Sequence, residues 1–365
     1  MQRTAFKILV IAVTGILALT PAIAMAKTSS FIDSLNNNSN IASTVPANGD
    51  VNPYGVALIT QTEGALVKGN ILVSNFNNSQ NQQGTGTTLV QITTGGKVSL
   101  FAAITDKDLP RPCPGGIGLT TALVVLRSGW VIVGSLPTTD GSSATAQAGC
   151  LIVLNSHGHV SEIFSGRLIN GPWDMTAVDG NDFATLFITN VLNGTVAASP
   201  NTVNRGEVVR LQLVYTETIR PRLISRMVIA SGFGERTDPD ALVIGPTGLA
   251  FGRDGTLYVA DTLANRISAI PMALTRMKSA GTGRTVSEGK SLNAPLGLAI
   301  APDDHILAAN GGDGNLVEVT PGGNQVAVKN IDTTGTGAGT LFGLAVAHKG
   351  VFFVNDGNNT LNFLH

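Results

Sequence analysis

The stretch of residues 245–270 reads GPTGLAFGRDGTLYVADTLANRISAI. It begins with Gly-Pro, continues through an apolar run, breaks at the polar turn GRDG and resumes with a second apolar run. Short runs rich in β-branched and aromatic residues, separated by glycine-containing turns, are typical of antiparallel strands. The stretch therefore predicts a meander of short strands joined by tight turns.

Five weaker copies of this stretch occur along the chain. Their first halves read NPYGVALI (52–59), GGIGLTTALVVL (115–126), GPWDMTAV (171–178), APLGLAIA (294–301) and LFGLAVA (341–347). Second, third and fourth apolar runs follow most of these starts, so the period is about 50 residues with four strands per copy. A four-stranded sheet buries both of its faces only between two neighbours, and a closed ring provides two for every sheet. Six copies predict an all-β, six-bladed β-propeller of four-stranded antiparallel blades.

The two ends of the chain predict how the ring closes. The sixth copy ends at His365 after its third run, so its outermost strand is missing. The segment SNIASTVP (39–46) is rich in β-branched residues and has no partner of its own. Because an unpaired edge strand invites aggregation, we expect residues 39–46 to pair with residues 360–364. The predicted organisation is a signal peptide (1–26), a segment carrying the closing strand (27–51) and the propeller (52–365).

The N-terminus has the pattern of an export signal. Arg3 and Lys7 precede a long apolar run that ends at Ala24-Met25-Ala26, the small-residue pattern that signal peptidase cleaves. The alternative is a membrane anchor, for which the run before Pro21 is short. Cleavage after Ala26 places the mature chain in the periplasm or outside the cell, and we expect no membrane contact after cleavage.

Composition excludes one class of partner. The formal net charge is −1, and removing residues 1–26 takes away two basic residues and no acidic one, which leaves −3. Charged residues make up only 13% of the chain, and nucleic-acid-binding proteins need basic patches. We expect a monomer that binds a small molecule, a carbohydrate, a peptide or a protein, and no nucleic acid.

The chain has two cysteines, Cys113 and Cys150. Two cysteines suit an oxidising compartment, and neither has a histidine at the spacing of a zinc site. Both fall on the same blade and the same face of the predicted propeller. We predict a Cys113–Cys150 disulfide; the alternative is two separate thiols.

The fourth copy resembles the NHL repeat, since it contains PTGLAF, DGTLYVAD and NRI in that order. The chain as a whole is similar to NHL-type six-bladed propellers close to the lactonase and senescence-marker-protein superfamily. In lactonase-type relatives the resemblance implies a divalent metal held by acidic and amide side chains, two of which follow the proline that starts a first strand. The matching positions are Tyr54, Trp173, Thr247 and Leu296, none of which is a carboxylate or an amide. No metal or other cofactor is therefore evident, although a cation such as Ca²⁺ stays open.

A polar residue ends the second strand of every copy. The six are Asn75, Ser135, Asn190, Asp261, Asn310 and Asp356. Together they offer a ring of oxygen ligands or hydrogen bonds near the channel mouth. The alternative is that each caps its own turn, as Asn and Asp commonly do. Loops between the second and third strands are long in copies one to three, and long loops on a rigid scaffold commonly carry binding sites.

Trp173 and Asp174 form the most unusual pair in the chain. An aromatic ring beside a carboxylate suits stacking on a sugar, with the polar atoms fixing its orientation; the alternative for Trp173 is core packing between blades. For Asp174 the choice is a catalytic acid in an apolar setting or a structural carboxylate bonded to backbone.

His157 and His159 lie in a turn on the opposite face, where solvent exposure is the simpler interpretation.

Two functions from different classes are consistent with these features. The first is a secreted binding scaffold that uses the long loops of blades one to three. The second is a hydrolase or lyase of the propeller superfamily with an altered site. The missing metal-ligand pattern favours the scaffold, whereas three or more carboxylate, amide or histidine groups converging on the channel would favour the enzyme.

Overall fold

A computed structural model describes residues 30–365, and the predicted signal peptide lies outside these residues. Six antiparallel sheets follow one another along the chain, as the repeats predict. Blade one consists of β2 (Val51–Leu58), β3 (Ile71–Asn77), β4 (Thr88–Ile92) and β5 (Val98–Ala103). Blade two consists of β6 (Leu119–Val125), β7 (Val131–Ser135), β8 (Cys150–Leu154) and β9 (Val160–Phe164). Blade three consists of β10 (Pro172–Asp179), β11 (Phe183–Asn190), β12 (Val203–Val214), β13 (Arg222–Asp238) and β14 (Leu242–Ile244). The prediction of a six-bladed propeller is confirmed.

The last three blades are shorter. Blade four consists of β15 (Pro246–Phe251), β16 (Leu257–Asp261), β17 (Arg266–Ile270) and β18 (Arg284–Glu288). Blade five consists of β19 (Pro295–Ile300), β20 (Ile306–Asn310), β21 (Asn315–Val319) and β22 (Gln325–Asn330). Blade six consists of β23 (Leu341–Ala347), β24 (Gly350–Asn355), β25 (Thr360–Leu364) and β1 (Asn38–Ser43). In the described part of the chain, helix is limited to α1 (Thr195–Ala198) and 3-10 turns at Ile32–Ser34, Asp106–Asp108, Ser143–Thr145 and Thr262–Ala264. Within residues 30–365, no helix has the length and apolar character that a bilayer crossing requires.

The N-terminal strand closes the ring, as predicted. β1 pairs antiparallel with β25, with Asn38 opposite Leu364 and Ser43 opposite Thr360. The preceding turn docks on blade five through Glu318, whose carboxylate accepts hydrogen bonds from Ser30 Oγ and from the Phe31 and Ile32 amides. Ile32 is fully buried. The N-terminal segment is thus an integral part of blades five and six.

Glycines in the innermost strands allow neighbouring blades to touch, which explains the repeated Gly-Leu of the opening stretch. A Cβ on Gly248 would lie 2.2 Å from the Leu296 carbonyl oxygen, and one on Gly297 would lie 2.0 Å from the Phe342 carbonyl oxygen. Real Cβ atoms do not approach this closely, so backbone meets backbone around the channel. Apolar clusters then fill the space between blades, as for Leu249 and Val259 against Phe187.

Blade three departs from the four-strand pattern. β13 is 17 residues long and turns back at Pro239-Asp240 into β14, a short fifth strand. This hairpin, residues 236–244, leads directly into blade four. Leu242, Val243 and Ile244 are buried in the same apolar cluster as Tyr54 and Trp173. The hairpin therefore reaches over the ring and closes one end of the channel.

Cys113 and Cys150 are joined in a disulfide that fastens the start of blade two to its third strand, with Cα atoms 5.5 Å apart. Replacing both with Ala should lower the free energy of unfolding by about 2–4 kcal/mol, because the bond closes a loop of 37 residues in the unfolded chain. Urea unfolding of parent and double variant measures the difference, and reduced parent should match the variant. Two free thiols in oxidised, denatured parent would contradict the pairing.

Candidate functional site

The channel is blocked near one end by stacked aromatic side chains, which we call the aromatic plug: Tyr54, Phe76, Trp173 and Phe342. The Tyr54 ring centroid lies 3.9 Å from that of Phe342 and 4.5 Å from that of Phe76. Trp173 is 3% exposed, and its indole Nε1 donates to the Val243 carbonyl oxygen of the hairpin at 2.9 Å. The structure places Trp173 in the core rather than on a binding surface.

The family's metal positions do not suit a metal in this chain. Tyr54, Trp173 and Leu296 pack in one apolar cluster. The Thr247 hydroxyl is occupied by the Thr262 hydroxyl at 2.6 Å. Hard divalent cations need several carboxylate, amide or carbonyl oxygens around one point, and these four side chains supply none.

Beyond the plug, the channel forms a cavity of 480 Å³ that opens on the face opposite the long loops. Asp174 lies at its closed end, where other blades have a glycine such as Gly297 or Gly343. Burial raises the pKa of Asp174 to about 7. Its Oδ2 accepts a hydrogen bond from the Leu249 amide at 2.8 Å, so the carboxylate links blade three to blade four.

The polar residues at the ends of the second strands are buried, and each bonds to its own blade or to the loop that enters it. Asn190 Oδ1 accepts from the Asn170 and Gly171 amides, and Ser135 Oγ accepts from the Gly118 amide. Asn75 and Asn310 donate to the carbonyl oxygens of Thr44 and Ser291, and Asp261 pairs with Arg266 at 2.8 Å. Each holds the loop that enters its blade or the turn that follows, which is what capping requires.

One member of that set needs correction. β24 ends at Asn355, which pairs with Leu341 as Asn310 pairs with Pro295 in blade five. The sixth position of the ring is therefore Asn355, and Asp356 lies one residue further, outside the strand. Neighbouring strand residues point to opposite faces, so this shift of one residue gives Asp356 different surroundings.

Asp356 lines a polar cleft on the face of the long loops, which we call the mouth cleft. The cleft has a volume of 770 Å³ and lies between blade one, blade six and the tip of the hairpin. Its polar side chains are Asn52, Asn77, Ser79, Asn81, Gln83, Asp240, Asp356 and Asn359. More than three carboxylate and amide groups thus converge at the mouth of the channel, to one side of the aromatic plug.

Two amide oxygens at the mouth cleft have no partner. Asn77 is 2% exposed, and its side-chain oxygen, like Gln83 Oε1, is buried without a hydrogen bond. Asn52 is 8% exposed, and its side chain lies beside the buried Tyr54 hydroxyl. Burial raises the pKa of Tyr54 well above its usual value, and the charges of Asp356, Asp238 and Asp240 raise it further. Unsatisfied buried polar atoms are costly, so two of them in one cleft indicate a ligand site.

Asp356 is one of two carboxyl groups that line this cleft. Burial, together with the nearby charge of Asp332, raises the pKa of its carboxyl to about 7. Asp332 itself keeps a low pKa, about 2, because backbone and side-chain donors, among them the Thr334 and Gly337 amides, stabilise its charge against the opposing cost of burial. A carboxyl that titrates near pH 7 is suited to accept and return a proton.

The long loops build one wall of the cleft and support the hairpin. Gln83 Nε2 donates to the Pro239 carbonyl oxygen, and Thr138 Oγ1 donates to the Gln83 carbonyl oxygen. In the third loop, Thr195 Oγ1 bonds to Glu235, at the base of the hairpin. Sequence reasoning missed Asn52, Asn77, Gln83 and Asp240. Only two features of the sequence pointed to them: the extra length of the third copy and the Asp-Pro-Asp turn before the fourth copy.

A second group of potential metal ligands lies away from the channel. Asp303, His305 and Glu318 offer ligand atoms within 4.8 Å of one another, the one such group among residues 30–365. His305 Nδ1 contacts Glu318 Oε1 at 2.6 Å, and both Glu318 oxygens also accept from the N-terminal segment. These bonds give the cluster a structural role in anchoring the N-terminus. His157 and His159 are exposed in the turn before β9.

The fold and the off-axis polar mouth define a six-bladed propeller with a plugged channel. A family model described as SMP-30/Gluconolactonase/LRE-like region matches residues 136–343, more than half of the chain. The chain belongs to this family, to which the NHL repeat is related. A search of curated protein sequences finds no match.

Solved structures share the architecture at low sequence identity. A gluconolactonase from Xanthomonas campestris is 14% identical, with a TM-score of 0.53, covering 87% of this chain and 86% of that one. A streptogramin B lyase is 14% identical, with a TM-score of 0.51 and coverages of 92% and 99%. The calcium-binding protein regucalcin from Agrobacterium tumefaciens is 12% identical, with a TM-score of 0.51 and coverages of 89% and 94%. At these identities the likeness shows the fold.

Proposed function

We propose that this protein is a hydrolase or lyase of the SMP-30/gluconolactonase family, acting on a small cyclic ester in the mouth cleft. The observation that carries the proposal is Asp356, a carboxyl with a pKa of about 7 among unpartnered amide oxygens. Family membership and the gluconolactonase and lyase neighbours support ring-opening chemistry over a plain binding scaffold. The long loops further support it, because they pack on one another and on the hairpin.

Hydrolysis would use Asp356 as the base. The carboxylate takes a proton from water, the water oxygen bonds to the ester carbonyl carbon, and the ring carbon–oxygen bond breaks. The proton then passes from Asp356 to the departing alkoxide oxygen. The product is a hydroxy acid whose new carboxyl group loses the remaining water proton to solvent. With Asp240 and Asp356 in the cleft, the resulting negative charge favours release.

Calcium enters this proposal only as a question for experiment. The neighbour regucalcin is named for calcium binding, and the mouth cleft and the Asp303, His305 and Glu318 cluster both offer oxygen atoms. Neither coincides with the family positions at Tyr54 and Trp173. No step of the proposed reaction is assigned to a metal.

Replacing Asp356 with Asn should lower kcat/KM for D-glucono-1,5-lactone by at least about 100-fold, the usual loss when a general base is removed. In the parent, kcat/KM should rise with pH through about 7, because only the ionised carboxylate accepts a proton. The variant should lose this dependence. Proton release at several pH values measures both effects.

Asp174→Asn is the matched control, since Asp174 is the other channel carboxyl with a pKa of about 7. It lies on the far side of the aromatic plug and should leave turnover nearly unchanged. Loss of turnover in Asp174→Asn with retention in Asp356→Asn would move the site to the channel. Absence of turnover in the parent with a panel of lactones would count against the enzyme itself.

We further propose that the chain works outside the cytoplasm after cleavage following Ala26. The disulfide supports this location, since structural disulfides persist in oxidising compartments. The mass of the chain recovered from the periplasm or medium tests the cleavage position.

A further inference from the structure

Two amide oxygens of the mouth cleft are left as hydrogen-bond acceptors. Gln83 Nε2 is used on the Pro239 carbonyl oxygen and Asn77 Nδ2 on Asn81 Oδ1, so their amide oxygens are the atoms left free. A carbonyl oxygen only accepts hydrogen bonds, which fixes the orientation of the Gln83 amide. The Asn52 side chain, by contrast, lies within reach of the Tyr54 hydroxyl, which can donate to it. A ligand that satisfies these atoms must donate hydrogen bonds.

The charge of the cleft has one sign. Asp240 and Asp356 line it, and none of the described lining residues is Lys, Arg or His. Asp238, in the same hairpin as Asp240, is paired with Arg236 at 3.3 Å, while Asp332 adds negative charge behind Asp356. Burying the Asp356 charge is unfavourable without a partner, so the cleft favours an occupant that brings positive charge.

From these two features we propose that the mouth cleft binds an amino sugar, a hydroxylated ring that carries a protonated amine. The ammonium group pairs with Asp356 and Asp240, and the ring hydroxyls donate to the amide oxygens of Asn77 and Gln83. This inference rests on the proposed function only in placing the substrate in the mouth cleft. It adds a preference for positive charge, which the family comparison does not supply.

Three pyranoses of matched size and different charge test the preference: D-glucosamine, D-glucose and D-glucuronate. Isothermal titration at about pH 7.3, where a large share of both the Asp356 carboxyl and the sugar amine is ionised, should give at least about tenfold tighter binding for glucosamine than for glucose, and the weakest binding for glucuronate. The preference should shrink as pH falls through about 7, where Asp356 takes up a proton beside Asp332, Asp240, Tyr54 and the Asp238–Arg236 pair. Glucosamine should also shift the amide signals of residues around the cleft.

Asp356→Asn and Asp240→Asn should each reduce the preference for glucosamine over glucose, while Glu217→Gln, on the opposite face, should not. Equal affinity for the three sugars, tighter binding of glucuronate, or stabilisation by CaCl₂ without any response to the sugars would overturn the proposal. Binding with charge preference but no lactone turnover would contradict the proposed enzyme alone. Turnover without charge preference would contradict this inference alone.

Discussion

Replacing Trp173 with Ala should lower the free energy of unfolding by about 3–5 kcal/mol, the usual cost of removing a buried large aromatic side chain. Its ring centroid lies 6.4 Å from that of Tyr54 and 6.3 Å from that of Phe342, so the truncation leaves a cavity beside the stacked rings of the aromatic plug. It also leaves the Val243 carbonyl oxygen without its donor. Urea unfolding of the parent and the variant measures the loss.

Trp173→Phe is the matched control. It keeps an aromatic ring in the plug but cannot donate to Val243, so it should cost clearly less than the Ala variant. A Trp173→Ala variant that unfolds like the parent and loses its ligand response would restore the alternative of a stacking surface. Buried as it is at 3% exposure, Trp173 has no open face to offer a sugar.

The repeats predicted the ring because each blade has the same physical requirement. Short strands buried on both faces, turn glycines and the close packing of Gly248 and Gly297 on the next blade recur wherever a sheet must pack between two others. The missing last strand predicted the pairing of β1 with β25 for a related reason. Because these signals are local and periodic, a single sequence is enough to reveal them.

The hairpin and the mouth cleft have no such period. β14 is three residues long and is followed directly by Gly245 and Pro246, so in the sequence it looks like part of the start of blade four. The cleft brings together Asn52, Gln83, Asp240 and Asp356, which are far apart along the chain. Register adds a further limit: Asn355 and Asp356 are adjacent and both polar, and composition does not decide which of them ends β24.

Deleting the N-terminal segment, so that the chain begins at Asn52, should have the largest effect on stability, more than about 6 kcal/mol of unfolding free energy. Burial of Ile32 and Leu35 alone contributes about 1.5–3 kcal/mol for each side chain. The deletion also removes Asp50, whose carboxylate accepts from the Thr87 amide and the Thr88 hydroxyl. It strips backbone donors from buried Glu318 and exposes the edge of β25.

Because so large a loss can prevent folding, a milder change accompanies it. Ile32→Ala with Leu35→Ala keeps β1 and Glu318's donors, and it should cost about 4 kcal/mol or more from the two cavities. Val45→Ala, at an exposed site in the same segment, is the matched control and should unfold like the parent. Retention of the parent's stability and solubility by the chain beginning at Asn52 would show that β25 does not need its partner. Aggregation at low concentration, relieved by adding a peptide of residues 30–51, is the expected behaviour of an open ring with one unpaired strand.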